Sequence, residues 1–345
     1  MRIFSYRNKR KLRQFLIVFA VILAILAAFC AIRFIYLQRF LVYENGTVKL
    51  DYEQDLIKEQ QASPHWDRSD IEIITEEAVQ IEIDFSEEPL HRLSGLYITT
   101  QMLLDMEAVS AALAELEEEP DAVMLDLKSI YGNFYYSSGL HGAQTSSADI
   151  GAIDAMIDTF AARSDLYLIA RIASLSDTNF ALANQSCGLP LRSGALWMDN
   201  EGCYWLDPMK QPVQEYLVSI AQELAAMGFD EVVFDDFRIP DSQNIIYSSE
   251  LTREDAAAEA AAALKELLSG DGIRVSFNSS NAGVAEVSDR VFLVTDNGSA
   301  VAELVESLQD SVDDPAAQIV FLTASRDTRF EGYGILRPLI EGEKE

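Results

Sequence analysis

From Gly95 onward the chain alternates short, solidly apolar runs with longer stretches whose apolar residues recur at helical spacing. The runs are GLYITT (95–100), AVMLDL (122–127), LYLIARI (166–172), EVVFDD (231–236), IRVSF (273–277), RVFLVT (290–295), QIVFLT (318–323) and GYGILR (332–337). Most are apolar at nearly every position, the pattern of strands buried on both faces. Between them, Val213, Leu217, Ile220 and Leu224 share one face of a helix predicted from about Pro212 to Met227, with Gly228 placed to stop it. A second helix is predicted to start at Thr252, where TRED has the form of a capping box, and to end at Gly270.

Strands and helices in alternation imply a parallel sheet. Eight candidate strands in about 250 residues predict an α/β fold of the closed (β/α)8 TIM-barrel type. The competing arrangement is an open doubly wound sheet, but TTQMLLD, after the first strand, lacks the glycine-rich phosphate loop of that fold. The link between Phe277 and Arg290 leaves little room for a full helix. The barrel is therefore expected to be irregular around its fifth and sixth strands.

The chain before the barrel reads differently. FLIVFAVILAILAAFCAI is an uninterrupted apolar run from Phe15 to Ile32. At about 1.5 Å per residue it spans roughly 27 Å, close to the hydrocarbon thickness of a bilayer. Arg33 and Tyr36 follow at interface depth, so residues 15–37 are predicted to form a transmembrane helix behind a basic leader, residues 1–14. A cleaved signal peptide would have a shorter apolar region and a small-x-small site, which does not follow Ile32. The excess of basic residues before the span places the N-terminus in the cytoplasm. The chain is thus expected to be a single-pass membrane protein with its C-terminal domain outside the cytoplasm. Residues 38–90, rich in Glu, Gln and Asp, read as a stalk in which IEIITEEAVQIEID allows a short hairpin or edge strand. The barrel takes residues 91–345.

Charge sharpens this division. Residues 1–39 carry eight basic side chains and no acid, whereas residues 40–345 carry 18 basic groups against 56 acidic ones. So acidic a body repels phosphate backbones, which excludes nucleic acid as a partner. No protein partner is indicated. Cys30 falls in the apolar span, while Cys187 and Cys203 share one polar stretch. In an oxidising compartment these two either form a disulfide or remain free thiols. His65, His91 and His141 show no ligand spacing relative to the cysteines, and no D-x-D-x-D-G loop is present, so no metal and no organic cofactor are expected.

The candidate chemistry lies where strands end. In GFDEVVFDDFRIP, a buried run leads directly into Asp235, Asp236 and Arg238. In a TIM barrel the C-terminal strand ends form the mouth, where a carboxylate meets solvent. Successive strand residues face opposite ways, so only one of Asp235 and Asp236 can line the axis. Other strand ends also turn polar: Asp126 and Lys128, Arg171, Asn278 and Asp296. Tyr131, Phe134, Tyr135, Tyr136 and Trp205 offer flat faces on which a ring can stack.

DAVMLDLKSIYGNFYYSS, LYLIARIASLSD, YWLDPMKQPVQEYLVSIAQELAAMGFDEVVFDDFRIP and GILRPLI together resemble the putative glycosyl hydrolase domain, an amylase-related bacterial barrel family of exported or membrane-anchored proteins. The resemblance runs from about Gly95 to Ile340 and is most specific at Trp205, Asp207, Pro208, Gly228, Phe229, Asp230, Glu231, Phe234, Asp235, Arg238 and Pro240. It implies a (β/α)8 barrel with Asp235 as nucleophile. Arg171, at the preceding strand end, is better placed than Arg238 to keep that carboxylate ionised. Asp296 is implied as a candidate acid, with Glu231 and Asp236 as substitutes. Asp126, Lys128, Tyr131, Arg171, Trp205, Asp207, Asp236, Arg238 and Asn278 are implied as substrate contacts. This chain departs from the pattern at three points. Asn278 stands where the family carries a strand-five aspartate, Asp236 stands where it carries tyrosine, and LVTDNGS replaces a P-M-x-Y-P segment. The expected function is a membrane-anchored glycoside hydrolase acting outside the cell on a glycan of the cell envelope. Two alternatives remain: a barrel that binds saccharide without cleaving it, and an acidic envelope scaffold.

Overall fold

The computed structural model describes residues 41–44, 47–50, 90–247 and 250–340. The chain divides into two units, Met1–Asp84 and Phe85–Glu345. Within the first, Leu41–Glu44 pairs antiparallel with Thr47–Leu50. The expected leader and span (1–37), and the stalk apart from that hairpin, lie outside the described residues. Among the described residues, no helix is long and apolar enough to cross a membrane.

The second unit is a closed parallel barrel. Its strands are β1 (Ser94–Ile98), β2 (Ala122–Lys128), β3 (Tyr167–Ala173), β4 (Glu231–Asp235), β5 (Arg274–Asn278), β6 (Val291–Val294), β7 (Ile319–Leu322) and β8 (Gly334–Pro338). Each pairs with the next in parallel, and β8 returns to β1 to close the ring. All eight apolar runs of the sequence became staves. Closure depends on Gly95: a Cβ there would sit 1.9 Å from the Ala122 carbonyl oxygen, so β1 and β2 meet only over a bare α-carbon.

The outer layer is α1 (Met106–Ala114), α2 (Ile150–Ala161), α3 (Gln211–Ala226), α4 (Arg253–Leu267), α5 (Ala282–Val287) and α6 (Val301–Leu308). In α3 the predicted stripe Val213, Leu217, Ile220 and Leu224 is buried, and Gly228 ends the turn beyond it at φ +93. The Thr252 hydroxyl accepts from the Asp255 amide, so TRED caps α4 as expected. The expected irregularity is present, since α5 has only six residues. A second one was not foreseen: β7 passes to β8 through the 3-10 turn Thr328–Phe330, without an α-helix. Between β3 and α3 the chain makes a long excursion over residues 174–210, stitched by isolated bridges such as Ser176 to Trp205 and Met198 to Tyr204.

Inside the ring the side chains form tiers. The lower tier is polar: fully buried Glu231 accepts from Tyr167 (2.9 Å) and Ser276 and pairs with Arg290, which also reaches the His91 carbonyl. Above it lies an apolar tier of Met124, Ile169, Val233, Phe292, Val320 and Leu336. The upper tier opens at the mouth.

Candidate active site

β2, β3 and β4 each deliver one charged side chain to the upper tier. The alternation that buries Val233 inside the ring brings Asp235 to the axis two residues later. Arg171 Nη2 lies 2.5 Å from Asp235 Oδ2, and Arg171 Nη1 lies 3.2 Å from Asp126 Oδ2. One guanidinium therefore bridges two carboxylates. With about 2.3 Å between its terminal nitrogens, those two oxygens are no more than about 8 Å apart. That lies inside the span of up to about 9.5 Å used by carboxyl pairs in glycosidases. Arg171, rather than Arg238, is the cation on Asp235.

Asp235 Oδ1 accepts from Asn278 Nδ2 at 2.6 Å and from the Asp236 amide at 2.9 Å. Three donors thus fix this carboxylate, whose side chain remains 20% exposed. Asn278, at the end of β5, serves as one of these donors. Burial pushes the Asp126 carboxyl up to about 6; the Arg171 guanidinium opposes this, and the Asp235 charge adds to it.

Asp236 leaves the strand with φ +53, the only positive φ outside glycine among the described residues. Beyond that left-handed turn, Ser176 Oγ donates to the Asp236 Oδ2 at 2.6 Å. Asp235, Asp236, Arg238 and Asn278 line one cleft of about 580 Å³, walled further by Arg253 and Asn281.

Other expected contacts sit elsewhere. The pairing register slips between Asp126 and Lys128, which turns Lys128 outward. Its ammonium is sealed against Asp177 at 2.8 Å, with both side chains fully buried, and cannot meet a substrate. Trp205 is 4% exposed; its indole N–H donates to Asp199 and Arg238 lies over its ring, 5.1 Å from the centroid. Neither face of that ring is a free platform. Phe134, Tyr135 and Tyr136 are core residues, whereas Tyr131 is 43% exposed and donates to the Glu201 carbonyl. Asp207 accepts from the Met209 amide in the turn before α3. Glu231 lies in the lower tier, away from the mouth. Asp296 is exposed at the end of β6, its Oδ1 accepting from Thr323 Oγ1 and the Ala324 and Ser325 amides.

Cys187 and Cys203 are buried, separate thiols. The Cys203 thiol donates to the Ile130 carbonyl at 2.8 Å, and burial pushes it up to about 12. Among the described residues, no group of three or more His, Cys, Asp or Glu side chains is arranged to hold a metal ion.

Sequence reading overlooked Tyr97. Burial raises its phenol above the usual range, and the carboxylates of Asp296 and Asp126 add to the effect against the pull of Arg171. The signal was the β1 alternation Leu93, Gly95, Tyr97, which carries the ring to the tier of Arg171.

The model of the putative glycosyl hydrolase domain matches residues 95–313. Among solved structures, a hypothetical protein from Ruminiclostridium thermocellum is similar at 24% identity and TM-score 0.45, over 53% of this chain and 96% of that one. Ega3 of Aspergillus fumigatus, in complex with galactosamine, is similar at 10% identity and TM-score 0.46, over 74% and 94%. The glycoside hydrolase domain of PelA from Pseudomonas aeruginosa is similar at 15% identity and TM-score 0.44, over 72% and 95%. No curated protein matches the chain.

Proposed function

Because the chain belongs to the putative glycosyl hydrolase domain family, we propose that it is a membrane-anchored glycoside hydrolase that cleaves a glycan of the cell envelope. The apolar run 15–32 supports the anchor, and the acidic body after it suits a domain outside the cytoplasm. The observation that carries the chemistry is the placement of Asp235: an acid at the end of β4, on the axis of an open mouth, gripped by Arg171, Asn278 and a backbone amide. In this reading Asp235 attacks the anomeric carbon, and Asp126 holds Arg171 from the far side so that the guanidinium keeps its aim. Tyr97 and Asn278 border the sugar bound there.

The test is incubation of the purified protein with isolated envelope polysaccharides, counting the reducing ends released. Asp235→Asn is expected to lower that release by more than about 10³-fold. Undiminished release by the variant would overturn the assignment. Fractionation checks the anchor: the full chain is expected in membranes, and a chain of residues 38–345 in the soluble fraction.

Asn278 favours a second reading, in which the barrel holds saccharide without cleaving it, since an amide has no acidic proton to give. Retention of polysaccharide without reducing ends, unchanged by Asp235→Asn, would select that alternative.

A further inference from the structure

Hydrolysis needs a proton donor for the departing oxygen, and Asn278 at the end of β5, an amide with no acidic proton, is itself engaged as a donor to Asp235. The other carboxyls near the mouth are committed. Glu231 is locked to Arg290 in the lower tier, Asp126 faces Arg171 with both oxygens, and Asp296 receives the β7 turn. Asp236 shares the 580 Å³ cleft with Asp235, as do Asp241, which pairs with Arg253, and Glu254 at the start of α4. Of these, Asp236 is the one whose own amide donates to Asp235. Its amide nitrogen is 2.9 Å from Asp235 Oδ1, and its carboxyl carbon is at most about 4 Å from that nitrogen by covalent geometry. The two carboxyls are therefore no more than about 7 Å apart, a bound that includes the roughly 5–5.5 Å between a nucleophile and the acid that protonates its leaving oxygen.

Resting on the glycosidase reading above, we infer that Asp236 is the catalytic acid and base of this site, one residue beyond the nucleophile at the end of β4. In the first step a lone pair of Asp235 forms a bond to the anomeric carbon. The glycosidic C–O bond breaks with its electrons going to oxygen, and that oxygen takes the Asp236 proton and leaves as an alcohol. In the second step water attacks the glycosyl ester, its proton returns to the Asp236 carboxylate, and the ester electrons return to Asp235.

The surroundings of Asp236 suit the part. Burial raises its carboxyl above the ordinary range, and the Asp235 charge adds to this, against the hydrogen bond from Ser176 and the charges of Arg238 and Arg171. The groups facing it are Asp235 and Arg238 from its own strand end and loop, Arg171 and Ser176 from β3 and its loop, and the Cys203 thiol from the excursion. Among these, burial pushes the Cys203 thiol up to about 12, well clear of the range in which carboxyls titrate.

Two substrates separate this proposal from the reading beneath it: the envelope polysaccharide, whose sugar alcohol needs a proton to depart, and a panel of 2,4-dinitrophenyl glycosides, whose phenol does not. Asp236→Asn keeps the left-handed turn, because asparagine adopts it readily. It is expected to lose at least about a hundredfold in kcat/KM on the polysaccharide, to stay within a few-fold in kcat/KM on the aryl glycosides while their kcat falls for want of the second-step base, and to lose the alkaline limb. Asp235→Asn is expected to lose both activities. Ser176→Ala, which leaves both carboxyls in place, is expected to move the alkaline limb to higher pH. Full polysaccharide hydrolysis by Asp236→Asn, or equal losses of kcat/KM on both substrates, would overturn the proposal and leave Asp235 in place. An Asp235→Asn variant as active as the wild type would overturn both.

Discussion

Replacing Asp126 with asparagine removes a carboxyl whose ionisation the fold resists. Its value is raised from 3.8 to about 6, chiefly by burial. A carboxyl raised in the folded state stabilises the protein fully below the unfolded value, and this contribution is lost as pH climbs through the folded one. At about 1.36 kcal/mol per pH unit, the penalty of carrying Asp126 ionised is about 3 kcal/mol above pH 7. The asparagine keeps an oxygen for Arg171 and has nothing to titrate, while Arg171 retains Asp235. The stability of the variant relative to wild type should therefore rise by about 2–3 kcal/mol between pH 4 and pH 7.5. Urea unfolding followed by tryptophan fluorescence at a series of pH values measures that difference. Profiles that run parallel across the range would refute the reasoning, since they would mean that Asp126 ionises in the fold as easily as in the unfolded chain.

Two further outcomes follow from buried features of the barrel. Lys128→Met strands the carboxylate of Asp177, which keeps only the Tyr216 hydroxyl and the Phe180 amide as donors, and should destabilise by about 3–5 kcal/mol in chemical denaturation. Adding Asp177→Asn should restore most of that loss, whereas strictly additive losses would refute the pairing. Gly95→Ala forces a methyl onto the Ala122 carbonyl and should leave no folded barrel at 25 °C by circular dichroism. A cooperative melt near the wild-type temperature would show that β1 and β2 close with room to spare.

The staves were legible because a strand buried on both faces has little choice of residue: Ala122–Leu125 and Val232–Phe234 are each wholly buried, and their apolar runs say so. The β4 acid was legible for a related reason, as an abrupt change from apolar to ionised marks the rim of a parallel barrel. What escaped depends on neighbours remote in sequence. The slip after Asp126 that turns Lys128 outward is a property of two strands 45 residues apart. Trp205 became a wall rather than a platform because Asp199 and Arg238 cover it. The turn at Asp236 leaves almost no trace, since aspartate tolerates a conformation it does not announce. The fates of Cys187 and Cys203 were set by the packing of the excursion, which no local pattern foretells.

The uncharged tier between the two polar ones has a consequence for how such a molecule changes over time. It works as an insulating floor: the ion pair of Glu231 and Arg290 in the basement gives the staves their footing, while the residues on the storey above face only one another and the solvent. A change of side chain at Asn278 or Asp236 redraws the rim without disturbing the foundation. A lineage can therefore try new rim chemistry one side chain at a time and still inherit a vessel that stands.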